Sequence, residues 1–190
     1  LNCLLQSGIT LRSRWDRPWQ PATMDWLGER LYLSHARNLH PSRKLVALVS
    51  SQLGRHGHKL REWPTLLNVA LRNVQSLGHR PLLVPKTTLF EAASDFSEAA
   101  CLDPLVIDFT AHDKDLEVWL IHHFRCLEAD SSWLDNRLCV SPCVGSGLLQ
   151  GHPLSDIPIQ DRLSLALADV VYVLSRRPGG TIDRLINMRL

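Results

Sequence analysis

The feature of this sequence that most constrains its fold is a regular alternation of short apolar runs with amphipathic segments of helical length. Residues 45–49 (Leu-Val-Ala-Leu-Val) form an unbroken apolar run, which is typical of a strand covered on both faces. Later runs of similar length are also predicted to be strands: 81–84, 105–109, 137–141 and 170–174.

The segments between these runs carry helix signals. Pro64 is suited to the start of one helix and Gly78 to the position after its end. Thr88 and Glu91 form a capping-box pattern, and Asp115 can cap a helix that extends to residue 128. Two further helices are predicted at 159–167 and from residue 181. Because strands and helices alternate over short connections, the sequence predicts an α/β fold with a mainly parallel sheet and helices on both faces.

Residues 1–40 differ from the rest and predict an irregular N-terminal arm, which leaves one domain at 41–190. The arm holds three tryptophans, two prolines and several arginines, with little periodicity apart from a possible short strand at 29–36. Its tryptophans are suited to pack on a neighbouring surface, and the alternative is that they stack on nucleic-acid bases.

Charge and cysteine content limit the class of protein. Lys and Arg number 21 against 19 for Asp and Glu, which gives a net charge of +2 and favours no extended nucleic-acid interface. No run approaches the ~20 apolar residues of a membrane span, so no membrane partner is expected. The five cysteines cannot all pair internally, and their scattered spacing indicates reduced thiols and a cytoplasmic protein.

Ligands of open α/β sheets bind beyond the carboxyl ends of the strands, which directs attention to three segments. After the first predicted strand come Ser50, Ser51 and Gln52, whose hydroxyl and amide groups could meet an oxyanion. A glycine-rich segment at 142–151 follows the fourth strand, and 175–181 follows the last.

The segment 175–181 has the strongest features of a phosphate site. Gly179 and Gly180 allow close backbone approach, and the helix that follows offers unpaired N–H groups at the positive end of its dipole. Thr181 can donate a hydroxyl, while Arg176 and Arg177 add positive charge. The alternative is a tight turn in which Thr181 is an ordinary helix cap.

Three segments resemble the Rossmann-like DNA-processing protein A (Smf) family, over about residues 40–190. Residues 45–51 resemble its first strand and turn, and 159–175 resemble a helix with an arginine near its start and a strand led by Ala-Asp. The Pro-Gly-Gly-Thr turn at 178–181 is similar to the phosphate loop of the wider superfamily, which includes the phosphoribohydrolases once mislabelled lysine decarboxylases.

This resemblance implies a Rossmann-like, doubly wound domain that binds a nucleotide, or the phosphate of a nucleic acid, across the strand ends. It would assign Ser50 and Ser51 to a first phosphate turn and Arg162 to a phosphate or to the orientation of that turn. It would also assign Gly179, Gly180 and Thr181 to a backbone cradle.

The chain departs from the family at positions that bear on chemistry. Ser50 stands where the family has glycine, and Gln52 stands where it has arginine. The hydrolase subgroup has a glutamate three residues after the threonine, where this chain has Arg184. Without that carboxylate a general base for glycosidic cleavage is lacking, so no catalytic residue is predicted, and a nucleotide phosphoribohydrolase-like enzyme stays an alternative.

Other constellations are weaker. Cys139, Cys143 and His152 lack a fourth ligand, and their spacing is unlike that of a zinc site. In the pair at 122–123 neither histidine has an acidic or cysteine partner at ligand spacing, so one is expected to pack and the other to be solvated, and no metal is predicted. Asp108 ends a strand and could bind a ribose, act in catalysis or cap the next turn.

The sequence therefore favours a binding protein for a nucleotide or sugar phosphate, with no cofactor and no catalysis of its own. A second interpretation is a single-stranded DNA mediator whose phosphate contacts come from Arg55, Lys59, Arg61, Arg176, Arg177 and Arg184. A third is a family member with an empty pocket that acts in assembly, for example as a homo-oligomer.

Overall fold

The computed structural model describes residues 8–13, 24–40, 42–51, 62–109, 115–144 and 153–190. These ranges contain seven strands: β1 (Ile9–Ser13), β2 (Leu31–His35), β3 (Leu45–Ser50), β4 (Arg80–Leu83), β5 (Leu105–Phe109), β6 (Arg137–Val140) and β7 (Val170–Ser175). The α-helices within them are α1 (Trp63–Ser76), α2 (Phe90–Ala99), α3 (Leu116–Ala129), α4 (Ile159–Leu167) and α5 (Thr181–Arg189). Two 3-10 helices cover Met24–Leu27 and Ala36–Leu39.

The seven strands form one mixed sheet in the order β1-β2-β6-β5-β4-β3-β7. Strands β3 to β7 are parallel to one another, whereas β2 is antiparallel to β6 and β1 to β2. This confirms the predicted α/β fold with a mainly parallel sheet, and the topology is consistent with a Rossmann-like fold. β3 is buried along its whole length in the interior of the sheet, as its unbroken apolar run predicts.

Alternate residues of the strands face two separate layers of helices. On one face, Leu45, Ala47 and Ile107 belong to a core that α4, α5 and the first 3-10 helix cover. On the other face, Leu48 and Leu83 pack with α1 and α2, and Cys139 packs with α3. The period of two along each strand divides the apolar side chains between the layers, which is why the sheet is covered on both sides.

Two of the predicted helix ends are confirmed and one is wrong. The carboxylate of Asp115 accepts the N–H of Glu117 at 2.8 Å and caps α3, and Gly78 follows the end of α1. The capping box at Thr88 is wrong, because α2 begins at Phe90 after Leu89 and has no side-chain cap. The side chain of the preceding Thr87 instead donates to the carbonyl of Val84 at 2.8 Å and closes the turn after β4.

Part of the segment expected to be an arm belongs to the sheet. β2 lies within the possible strand at 29–36, whereas no pattern in the sequence predicted β1. The two strands extend the sheet beyond β6 as an antiparallel pair. As a result, the start of β2 lies at the carboxyl end of β6, beside the edge at which ligands of α/β sheets bind.

Candidate functional site

The carboxyl ends of the five parallel strands lie at one edge of the sheet, called the carboxyl edge below. The chain adds β4, β5 and β6 successively on one side of β3, and then crosses back to add β7 on the other side. The strand order therefore reverses between β3 and β7. Such a switch point is where open α/β sheets bind their ligands, because the connections leave it in opposite directions and open a crevice.

The predicted phosphate residues after β3 and β7 meet at this switch point. The backbone N–H of Ser51 donates to the carbonyl of Ser175 at 2.9 Å, and its side-chain oxygen accepts the N–H of Arg177 at 2.9 Å. Ser50 is buried, and its hydroxyl donates to the carbonyl of Ser51. The structure thus brings together the turns at 50–51 and 176–181, while Gln52 lies outside the described residues.

The Pro-Gly-Gly turn is closed by a carboxylate of the chain itself. Gly179 has the left-handed φ of +71° that the turn needs, and its N–H donates to Asp183 at 2.8 Å. Arg176 forms an ion pair with the same carboxylate and donates to Asn187 at 2.7 Å. The carboxylate of Asp183 thus already accepts the N–H of Gly179, one of the backbone amides that were predicted to bind a phosphate. An acid in the first turn of α5, four residues after Gly179, is the sequence signal for this contact.

Hydrogen bonds from Gly179 and Arg176 hold the pKa of Asp183 below its ordinary value. A depressed pKa in the folded state contributes stability above the unfolded pKa of about 3.9, and that contribution is lost as the pH falls through the folded pKa. We expect Asp183→Asn to lower the stability at pH 7, and the deficit to narrow below about pH 4. The measurement is the free energy of unfolding in urea, compared between the variant and the unmodified protein from pH 7 to pH 3. A deficit that is the same at every pH would contradict the charge-based explanation.

The other residues of the predicted site differ in the partners that their side chains have. Thr181 is the first residue of α5, but Gly180 is the N-cap, so Thr181 is not the helix cap of the alternative interpretation. Arg177 is exposed, and its side chain has no ion pair within the described ranges. Arg184 is bound by Asp156 at 2.7 Å.

Arg162 lies at the carboxyl edge but away from the Pro-Gly-Gly turn. Its side chain, on the first turn of α4, donates to the carbonyl of Trp26 at 2.8 Å. Arg30 donates to the neighbouring carbonyl of Leu27 at 2.7 Å and to that of Ser141, just beyond β6, at 2.7 Å. The two guanidinium groups, called the arginine pair below, thus hold consecutive carbonyls at the end of the first 3-10 helix.

The turn between the 3-10 helix and Arg30 depends on Gly28. Its φ is +72°, and a Cβ built there would lie 3.1 Å from the Sγ of Cys143. A side chain at this position would therefore strain the backbone and press on Cys143. Glycine lets the chain reverse and return Arg30 beside Arg162.

The positive charges of the arginine pair are not neutralised by any carboxylate in the part of the chain that the structure describes. Burial lowers the pKa of both groups, and the charge of Arg30 lowers that of Arg162 further. Arg162 is 7% exposed, and its Nε has no hydrogen-bond partner among the described residues. Backbone carbonyls satisfy some N–H groups but carry no formal charge, so the pair can still bind an anion.

A second cluster lies on the face of the sheet that α3 covers. Asp108 of β5 and Cys139 of β6 are partners in register on neighbouring strands, and His123 approaches them from α3. One ligand atom from each of the three side chains lies within 4.8 Å of the other two. His123 packs and His122 is exposed, as predicted. The expectation that neither has an acidic or cysteine partner is wrong, because Cys126 lies one helical turn from His122, and the acid and the thiol near His123 belong to other elements.

The thiol of Cys139 is fully buried, and this burial raises its pKa far above the ordinary value, with the charge of Asp108 as a further cause. A cysteine nucleophile reacts as the thiolate, which this environment disfavours. The cluster therefore does not have the properties of a Cys-His-Asp catalytic triad in which the nucleophile is activated.

Comparison with family models, with curated proteins and with solved structures found no match for this chain. None of the helices in the described ranges is long and apolar enough to cross a membrane.

Proposed function

We propose that this protein binds a phosphorylated ligand of the nucleotide type at its carboxyl edge, with the phosphate held by Arg30 and Arg162. The observation that carries the proposal is that the arginine pair lies at this edge without a described carboxylate to neutralise it. Guanidinium groups match phosphate oxygens in charge and in geometry, and they remain positive at any physiological pH. A phosphate is therefore the anion that best fits two adjacent guanidinium groups.

The topology supports a ligand larger than a free phosphate ion. The switch point between β3 and β7 and the end of β6 lie on the same edge of the sheet, three strand spacings apart between β3 and β6. At ~4.8 Å per spacing this is about 14 Å, which is comparable to the length of a nucleotide. Helix α4 crosses from β6 to β7 and carries Arg162 on its first turn, so it connects the two regions.

The turn at 178–181 is the alternative position for the phosphate. There a ligand would have to displace Asp183 from the Gly179 amide and from Arg176. At the arginine pair, by contrast, no carboxylate among the described residues has to leave. For this reason we place the phosphate at the arginine pair and regard Ser51, Arg177 and the turn as the far end of the ligand's surface.

The proposal is for binding, in a cytoplasmic protein. Cys101, Cys126, Cys139 and Cys143 are free thiols, which supports a reducing compartment. The single-stranded DNA alternative is less well supported, because Arg176 and Arg184 are already held by Asp183 and Asp156. Arg55, Lys59 and Arg61 lie outside the described residues.

Removing one guanidinium of the pair is expected to weaken nucleotide binding by about 10- to 100-fold, since one charge-assisted hydrogen bond contributes roughly 1.5–3 kcal/mol. The test is calorimetric titration of the full chain and of Arg30→Gln with adenosine monophosphate, adenosine triphosphate, ribose 5-phosphate and inorganic phosphate. Arg30 is the preferred position because it is only partly buried. Arg162→Lys keeps the charge but loses the planar fork, and an intermediate affinity is expected.

Arg72→Gln is the matched control, because Arg72 is exposed on α1 and, among the described residues, its side chain bonds only to that of Asn68 on the same helix. It removes the same charge without touching the carboxyl edge, so its affinity should equal that of the unmodified protein. Gly180→Asp tests the alternative position, since a Cβ there would lie 3.1 Å from the carbonyl of Arg177. Loss of binding in Gly180→Asp with full binding in Arg30→Gln would move the phosphate to the turn.

Titration of the protein with a short single-stranded DNA at two salt concentrations distinguishes nucleic-acid binding from the binding of a single nucleotide. Contacts to many phosphates release counterions, so affinity for DNA would fall steeply as salt increases. A single phosphate held by two arginines is expected to give a shallow dependence. Tight, strongly salt-dependent DNA binding together with no nucleotide binding would contradict the proposal.

A further inference from the structure

The cluster of Asp108, His123 and Cys139 combines the three side-chain types that bind transition metals. Its members come from β5, α3 and β6, so the cluster exists only in the folded chain. It lies on the opposite face of the sheet from α4 and the arginine pair. It is therefore separate from the proposed nucleotide site.

The pairing of β5 with β6 places two of the ligands side by side. Asp108 and Cys139 are direct partners in the parallel register, and the core residues packed around Cys139 are those that α3 covers. Neighbouring strands lie about 4.8 Å apart, and side chains of register partners on one face start from about this separation. Oxygen and sulfur ligands on two such positions can bind a common ion, provided that a third ligand approaches from above the sheet.

Helix α3 supplies that third ligand in a defined tautomer. The Nδ1 atom of His123 is 2.7 Å from the backbone carbonyl of Trp119, which can only accept a hydrogen bond. Nδ1 therefore carries the proton, and in the neutral ring Nε2 keeps its lone pair. A hydrogen bond from the far nitrogen to a carbonyl is the usual second-shell arrangement for a metal-binding histidine, because it fixes the ring and increases its basicity.

Packing holds the histidine ring in place before any ion binds. His123 is 1% exposed, and its ring centroid lies 4.5 Å from that of Trp119 and 5.3 Å from that of Trp133. Two indole rings therefore restrict its rotation. Asp108 is only partly buried, which leaves the cluster a side through which an ion can enter.

We propose that Asp108, His123 and Cys139 form a zinc site. The charge of a bound zinc ion displaces the proton of a coordinating thiol, which offsets the burial that keeps Cys139 protonated in its absence. Thiolate, imidazole and carboxylate together are a donor set typical of zinc, whereas magnesium and calcium prefer oxygen ligands alone. Tetrahedral zinc at 2.0–2.3 Å from each ligand separates the ligand atoms by about 3.5 Å. The present separations of at most 4.8 Å need only side-chain adjustments on the order of 1 Å to reach it. Three protein ligands leave the fourth position for water or a substrate oxygen.

Titration of the full chain with Co²⁺, a spectroscopic substitute for zinc, tests the proposal. We expect one equivalent to produce visible bands typical of tetrahedral cobalt and a thiolate-to-cobalt charge-transfer band, both removed by excess Zn²⁺. Cys139→Ser is expected to abolish the charge-transfer band. Asp108→Asn and His123→Gln are expected to lower the zinc affinity by about 100-fold or more, since even second-shell changes cost 10- to 100-fold.

Two neighbours on α3 are matched controls. The Sγ of Cys126 lies 3.7 Å from the Nε2 of His122, and neither residue belongs to the cluster. Cys126→Ser and His122→Gln should keep both the bands and the affinity. Because Cys139 is fully buried, circular dichroism is used to check that Cys139→Ser folds. If this variant does not fold, the zinc affinity of Asp108→Asn is the test of the proposal. The proposal is overturned if no band forms, if Asp108→Asn keeps full affinity, or if the control variants lose the metal instead.

Discussion

Replacing Arg80 by methionine is expected to lower the free energy of unfolding by about 2–3 kcal/mol, because a buried acceptor left without its donor costs roughly 1–3 kcal/mol. Arg80 begins β4 and is 2% exposed. Its guanidinium donates to the side chains of Asn38, Asp103 and Asn136 at 2.8–3.0 Å, and to the carbonyl of Asp103 at 2.9 Å. Methionine supplies no donor, so the buried side chain of Asn38 would lose a partner, whereas the more exposed Asp103 and Asn136 can bind water instead.

Arg43→Met is the matched control for this prediction. Arg43 binds the same carboxylate, that of Asp103, at 3.0 Å, but its side chain is 44% exposed. An exposed ion pair contributes about 1 kcal/mol or less, because water screens the charges. Equal losses of stability in urea unfolding of the two variants would show that the guanidinium of Arg80 does not have the structural role inferred from its contacts.

Replacing Trp119 by alanine is expected to cost about 3–5 kcal/mol, the usual effect of removing a buried aromatic side chain. Trp119 is fully buried between α3 and the sheet, in a core with Leu33, Leu127 and Leu134. The cavity left behind would lie next to the ring of His123. The variant is therefore also expected to loosen the proposed zinc site, in addition to lowering the midpoint of urea unfolding.

Trp119→Phe separates the loss of packing from the loss of the indole N–H. The Nε1 atom of Trp119 is buried and has no hydrogen-bond partner among the described residues. Phenylalanine keeps most of the apolar ring and removes this unsatisfied donor, so the expected loss is below about 1.5 kcal/mol. If Trp119→Phe were as unstable as Trp119→Ala, the indole N–H would have to make a contact that stabilises the fold.

The local features of the fold follow directly from the sequence. The strand at 45–49, the cap at Asp115 and the helix at 159–167 all form where the pattern predicts, because each depends on neighbours within a few residues. β1 was missed because a five-residue strand without strong alternation is stabilised by its pairing with β2. The capping box at Thr88 failed because Thr87 closes the preceding turn in its place.

Which turns lie together at the candidate site was predictable from the sequence, whereas the partners of their side chains were less so. The turns after β3 and β7 were identified from the rule for strand ends, and they are hydrogen-bonded to each other. No role was predicted for Asp183, so its bond to the Gly179 N–H was missed. No pattern in the sequence identified Arg30 as a site residue, because its position beside Arg162 depends on the antiparallel pairing of β2 with β6.

The sequence by itself determined the alternation of strands and helices, the parallel sheet and the edge at which a ligand is expected, because these depend on periodicity and turn chemistry that short segments carry. Only the tertiary structure decided which charges lie without a counterion among the described residues and which distant side chains meet. Arg30 joins Arg162 across more than 130 positions of the chain, and Asp108, His123 and Cys139 meet through strand register and helix packing. Such neighbours arise from the order of strands in the sheet, which no local pattern encodes.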